Sequence, residues 1–162
     1  MKLHLDVQYA CKRCDLPSQA LIAKWARAAL RGTRRANIEL AVRIVNAAEG
    51  ARLNKQFRGK RGATNVLSFP CTDRFGRRRG LLGDIVICAP LVAREANAQN
   101  KAETAHWAHM MVHAIMHLRG YDHLTRADAK IMEAKEIRVL KELRFPDPYH
   151  DIPDHEPKRR RR

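Results

Sequence analysis

The sequence predicts an α+β fold: a single domain with a small mixed sheet of about four strands and helices packed on it. Three observations predict it. The chain has 162 residues, which suits one core. Four stretches, beginning near Leu3, Ile38, Thr64 and Leu82, are apolar with strand-like period or length. Helical patterns interleave with them irregularly, and two long ones gather at the C-terminal end.

Leu3, Leu5 and Val7 alternate with polar residues and predict the first strand. Pro17 and Ser18 open a helix through Leu30, with Leu21, Ile22, Trp25 and Ala29 on one face and Gly32 ending it. Ile38, Leu40, Val42 and Ile44 alternate as a second strand. Ala47 to Phe57 reads as a short helix stopped near Gly59. Thr64 to Phe69 is a third strand closed by Pro70, and Arg74 to Gly80 reads as a basic, glycine-flanked loop. Leu82 to Cys88 is a fourth strand, and Pro90 starts a helix to about Gln99. Ala102 to Leu118 is a helix rich in Ala, Met and His. The last helix runs from Thr125 to Leu143; Thr125 and Asp128 form a capping-box-like pair. Its Ile131, Ile137, Leu140 and Leu143 are expected to pack in the core. The domain is expected to span 1–149, with 150–162 a flexible basic tail.

The composition is 45% hydrophobic and 30% charged, which excludes collagen-like and wholly disordered chains. No apolar run approaches the roughly 20 residues of a membrane helix. The N-terminal apolar stretch breaks too early for a secretory signal, so a cytoplasmic location is expected. No large unclaimed apolar face is evident, so a monomer is expected. Lys plus Arg number 32 against 17 Asp plus Glu, a net charge of +15. Lys158 to Arg162 carry five of these charges, so the basicity belongs to the whole chain. Such a balance points to a polyanionic partner, most simply nucleic acid. Cys11 and Cys14 form a CxxC pair without the second pair a zinc ribbon needs, and read as ordinary thiols. Cys88 ends an apolar run and reads as core.

The chemistry concentrates between 106 and 123, which hold five of the eight histidines. His113 and His117 stand four apart on a predicted helix, so they share a face. Two imidazoles so placed can converge on one zinc ion. Gly120 ends the helix in a left-handed turn, and His123 can return as a third ligand. Three ligands leave one position open for water, as in catalytic zinc sites. The competing reading is a polar stripe, since His106, His109, His113 and His117 fall on one face; the third histidine after the glycine favours the metal. The spacing H-x3-H-x5-H is metzincin-like. The zincin general base, however, would stand at position 114, where this chain has Ala114. A peptidase would need another base.

His113 to His123 closely resembles the signature of the bacterial YbeY family, endoribonucleases that act in ribosomal RNA maturation. Leu53-Asn54, Phe57 to Lys60, Thr64 to Pro70, Gly83-Asp84-Ile85 and His106 to His109 resemble that family's other blocks, in its order. The resemblance covers about 1–145. Two departures touch no ligand: Ala114 stands where the family usually has Gly, and Met116 where it usually has Leu. The resemblance implies a single-strand-specific, metal-dependent endoribonuclease acting in small-subunit RNA 3′-end processing and ribosome quality control. It implies zinc on His113, His117 and His123, and a functional role for Arg58. Its partners would be ribosomal RNA, the small ribosomal subunit and its assembly factors. Arg58 fits a phosphate clamp, with Lys60, Arg61, Ser68 and His109 as further substrate-facing candidates. Asp122 either orients an imidazole or only shapes the turn. The alternatives are a zinc peptidase and a non-catalytic, zinc-stabilised RNA-binding assembly protein.

Overall fold

The computed structural model describes residues 1–13 and 15–150. Cys14 and the tail expected beyond His150 therefore lie outside the described residues. The elements run β1 (Lys2–Ala10), α1 (Gln19–Ala29), β2 (Asn37–Val45), α2 (Ala47–Arg58), β3 (Val66–Pro70), α3 (Arg74–Arg79), β4 (Leu81–Cys88), α4 (Ala89–Ala98), α5 (Glu103–Leu118) and α6 (Arg126–Glu142). The fold is the α+β class expected, with one four-stranded mixed sheet in the order β1-β2-β4-β3. β1 and β4 lie parallel to β2, whereas β3 runs antiparallel to β4.

The alternation of β2 sends Ile38, Leu40, Val42 and Ile44 to one face, all buried. They join Ile85 and Ile87 of β4 and the inward faces of α1, α4, α5 and α6 in the main core. The opposite face holds a smaller cluster of Val45, Leu67, Val86 and Cys88, flanked by Leu53 of α2. α2 approaches β4 closely there, because Gly50 presents no side chain toward the Cys88 sulfur.

The expected starts of α1 and α6 at Ser18 and Thr125 hold, and α2 has a cap not expected from the sequence, Asn46. Ser18, Asn46 and Thr125 each accept a backbone N–H from the first turn of α1, α2 and α6. Two expectations need correction. The segment from Arg74 to Arg79 is a short helix rather than a loop. Its glycines suggested a loop, but the Asp73 carboxylate caps it through Gly76 N–H at 2.6 Å and Gly80 closes it in the left-handed conformation. Ile131 is 53% exposed, outside the core. The buried face of α6 is Met132, Glu136, Val139 and Leu140, built around a carboxylate; of the expected stripe Leu140 is buried, Leu143 packs against the core and Ile137 is half-buried.

β3 is an edge strand whose polar groups are managed. Asn65 Oδ1 accepts the Val66 N–H at 2.7 Å, Arg58 donates to the Ser68 carbonyl at 2.9 Å, and Pro70 carries no N–H. Gly83 permits this strand to lie against both β4 and α5. A Cβ at Gly83 would meet the Phe69 carbonyl oxygen at 2.3 Å and the Leu118 side chain at 2.9 Å. Gly83→Ala is therefore expected to lower the unfolding free energy by about 1–3 kcal/mol, read as a lower urea midpoint at unchanged slope.

Candidate metal centre

Helix α5 is enclosed on almost every side: Trp107, Ala108, Met111, Val112, Ala114, Ile115 and Met116 are all buried. The methyl of Ala114 is enclosed in the main core, and α5 remains regular around it. Along one stripe imidazoles replace apolar groups. His106 and His109 are buried, whereas His113 and His117 are half-buried, so the stripe emerges from the core toward the C-terminal end of the helix.

That end is a glycine-closed turn. Gly120 adopts φ 95°, its N–H bonds to the His117 carbonyl at 2.9 Å, and the Tyr121 N–H bonds to the Met116 carbonyl at 3.0 Å. The reversal brings the exposed His123 back over the helix. Its ring centroid lies 4.9 Å from that of His117 and 5.7 Å from that of His113. One ring nitrogen from each of the three lies within 4.8 Å of the others. Asp122 accepts the backbone N–H of His123 at 2.7 Å, so its carboxylate shapes this turn. Its charge also reaches the His117 imidazole.

The tautomers follow from the partners. His113 Nδ1 lies 2.7 Å from the Glu136 carboxylate, and His117 Nδ1 lies 3.1 Å from the Tyr121 carbonyl. Both partners are acceptors, so each Nδ1 carries the proton and each Nε2 keeps its lone pair. The two Nε2 atoms face each other at 3.2 Å. Tetrahedral ligands on zinc at about 2.0–2.1 Å stand about 3.3–3.4 Å apart. Two lone pairs at this separation repel unless a cation lies between them, and the donor set suits a metal ion of zinc's type. Burial, and then the neighbouring His113 and His123, lower the His117 pKa, which keeps this imidazole neutral and available.

Three residues unremarked in the sequence complete the site. Glu136 of α6 is fully buried; its Oε1 accepts from His113, and its Oε2 lies 3.0 Å from His109 Nε2. The Tyr149 hydroxyl donates to the same Oε2 and lies 3.1 Å from His109 Nε2. Deeper along the stripe, His106 Nε2 lies 2.8 Å from the Glu95 carboxylate, which also accepts from Asn65. His109 thus faces the Glu136 carboxylate and is nearly inaccessible. Burial alone would push the Glu136 carboxyl up, but hydrogen bonds from His109 and His113 outweigh it and hold it at about 2. Burial pushes His109 down, against the pull of Glu136. The signal for Glu136 was its place at helical spacing between Met132 and Leu140, with the carboxylate standing where an apolar residue would be expected.

Arg58 stands at the end of α2, exposed, with Nη2 on the Ser68 carbonyl and its guanidinium 5.7 Å over the Phe69 ring. The bond uses one of five N–H donors. Phe57 beside it is 55% exposed and meets Phe69 edge-on at 5.2 Å. Lys60 and Arg61 are exposed on the following loop, which the buried Asn54 pins through the Gly62 carbonyl at 2.8 Å. Ser68 is half-buried on β3, which packs against α5.

An α+β fold carrying three convergent imidazoles at the end of a buried helix defines a class of histidine-centred proteins that could hold a metal ion. Residues 7–144 match the family model described as endoribonuclease YbeY. The chain is 44% identical to the endoribonuclease YbeY of Nitrosococcus oceani over 154 residues, 94% of this chain and 100% of that protein. It is 48% identical to that of Stenotrophomonas maltophilia over 92% of this chain and 94% of that one. It is 50% identical to that of Methylococcus capsulatus over 85% and 89% respectively. The solution structure of TM1509 from Thermotoga maritima shares the fold, with TM-score 0.57 and 21% identity, covering 87% of this chain and 92% of that one. The chain belongs to the YbeY family of endoribonucleases. Among the described residues no helix is long and apolar enough to cross a membrane.

The buried groups make stability depend on pH. The depressed Glu136 carboxyl contributes stability that is complete above its ordinary value of 4.5 and is lost as pH falls toward 2. The depressed His109 acts with the same sign, because the unfolded chain takes up its proton first as pH falls through 6.5. Urea titrations of the metal-free protein should give falling stability from pH 7 to pH 3. Glu136→Gln should remove the part lost between pH 4.5 and pH 3, on the order of 2 kcal/mol.

Proposed function

We propose that this chain is a zinc-dependent, single-strand-specific endoribonuclease that acts in ribosomal RNA maturation, at the 3′ end of small-subunit RNA, and in ribosome quality control. The observation that carries the metal part is the pair of Nε2 lone pairs facing each other at 3.2 Å, in a chain of an endoribonuclease family. His113, His117 and His123 would hold the ion and leave one position open. When bound there, zinc supplies Lewis acidity toward a phosphoryl oxygen and acidifies bound water to a pKa of about 7.

The protein's own groups divide the remaining work. Arg58 binds a phosphate through its planar fork, anchored by its bond to Ser68. The Phe57–Phe69 pair beside it offers a face on which an unpaired base stacks, which favours single strands over duplex. Lys60, Arg61 and the arginines of α3 neutralise flanking phosphates. Ribosomal RNA within the small subunit and its assembly factors is the partner these features suit. Two features speak against the peptidase reading. Position 114 holds a buried alanine, and Glu136 is fully buried on the Nδ1 side of His113, away from the facing Nε2 atoms.

The test is cleavage of a single-stranded ribosomal RNA fragment by the purified protein, with and without chelator. His117→Ala should abolish metal-dependent cleavage, and Arg58→Ala should reduce it by roughly 100- to 1000-fold. Phe57→Ala should weaken binding of the single strand at least about fivefold while leaving zinc content unchanged. Equal cleavage by all preparations would identify a contaminant. Tight RNA binding without cleavage by the zinc-loaded wild type would favour the assembly-factor reading.

A further inference from the structure

We propose that Glu136 is a positioning residue that aims His113 at the metal, and that Tyr149 and His109 hold Glu136 in place, making the segment beyond α6 part of the centre. The inference rests on the metal reading of His113, His117 and His123.

Glu136 occupies a core position. It is 0% exposed, on a helix face otherwise made of Met132, Val139 and Leu140. A carboxylate there loses its hydration, and an all-apolar set of similar volume in place of the whole network would pack as well or better. Stability alone therefore does not explain the residue. Its bonds point to a different role. Oε1 is given to His113 Nδ1 at 2.7 Å, the shortest of the histidine contacts around it. This bond fixes both the tautomer and the rotation of the ring, and it sends Nε2 toward His117 Nε2. A carboxylate on the far nitrogen also makes the imidazole a stronger ligand. Oε2 accepts from the Tyr149 hydroxyl and from His109 Nε2, so the carboxylate is held at both oxygens.

Tyr149 comes from the chain that follows α6, and that segment is tied down independently. Phe145 meets Trp25 of α1 edge-on at 6.4 Å, and Lys101 donates to the Pro148 carbonyl at 2.8 Å. The hydroxyl thus reaches the inner side of the metal-binding histidines from a segment anchored to α1 and to the α4–α5 connection. His109 meets the same Glu136 oxygen as Tyr149, which gives this buried imidazole a role without contact to substrate.

The full-length protein would be titrated with zinc against a competing chelating indicator. Glu136→Leu, Glu136→Gln and Tyr149→Phe would be compared with Lys130→Gln on the exposed face of α6. Glu136→Leu is expected to stay folded, with zinc affinity about 10- to 100-fold weaker. Glu136→Gln keeps an acceptor without the charge and should fall between Glu136→Leu and the wild type. Tyr149→Phe should weaken zinc about fivefold, the effect of one hydrogen bond. Lys130→Gln should match the wild type. A second readout uses the metal-free protein: ¹⁵N shifts should report the Nδ1–H tautomer of His113 in the wild type and its loss in Glu136→Leu. A folded Glu136→Leu with wild-type affinity and an unchanged tautomer would overturn the proposal. If Glu136→Leu does not fold, wild-type affinity in both Glu136→Gln and Tyr149→Phe overturns it instead. A wild-type protein that takes up no zinc overturns the metal reading itself.

Discussion

Helix α5 has almost no free surface, and that enclosure governs the rest of the molecule. Every polar group on a buried helix needs a partner, because water cannot supply one. The histidine stripe therefore organises the elements around it. His106 draws Glu95 from α4 and, through it, Asn65 from the start of β3. His109 and His113 draw Glu136 from α6, and Glu136 draws Tyr149 from the segment beyond. Toward the last turns, before Gly120 ends the helix, the imidazoles of His113 and His117 become half-exposed.

The arrangement separates two tasks along one helix. Its N-terminal and middle turns are scaffold, wedged between α1, α4, α6 and the sheet. Its C-terminal half carries His113 and His117, two of the three imidazoles that could hold a metal ion. The ligand nitrogens are held from behind by a carboxylate and a carbonyl, so their lone pairs stay directed before any ion arrives. Preorganisation of this kind reduces the ordering that binding must otherwise impose.

The surroundings of Arg58 are organised by an edge strand. β3 needs protection from pairing with other chains, and Arg58 gives part of it by covering the Ser68 carbonyl. The same contact holds the guanidinium above Phe69, next to the exposed Phe57. One arginine thus covers part of the sheet edge and leaves its guanidinium exposed above an aromatic ring. The arginines of α3 stand on a helix rather than a loop, so they project from a short, capped element.

The sequence by itself determined the strand pattern, most helix ends and the imidazole triad. These are local facts: alternation with period two, capping side chains within one turn, and a His pair four apart followed by a glycine. The helical character of 74–79 was equally local but lay in Asp73, where arginines and glycines drew the eye to a loop. The family could also be read from blocks of residues in order, and the matching of 7–144 agrees. The roles of Glu136, Tyr149 and Glu95 were decided only by tertiary structure. Glu136 lies 23 residues from the histidine it holds, and Tyr149 lies 40 from His109. No periodicity links positions so far apart. A glutamate on a helix reads as solvent-facing until packing puts its face inward, and Ile131 was expected inside where Met132 and Glu136 are buried instead. Which carboxylate meets which imidazole depends on how α6 lies across α5, and that follows from the whole core rather than from any segment of it.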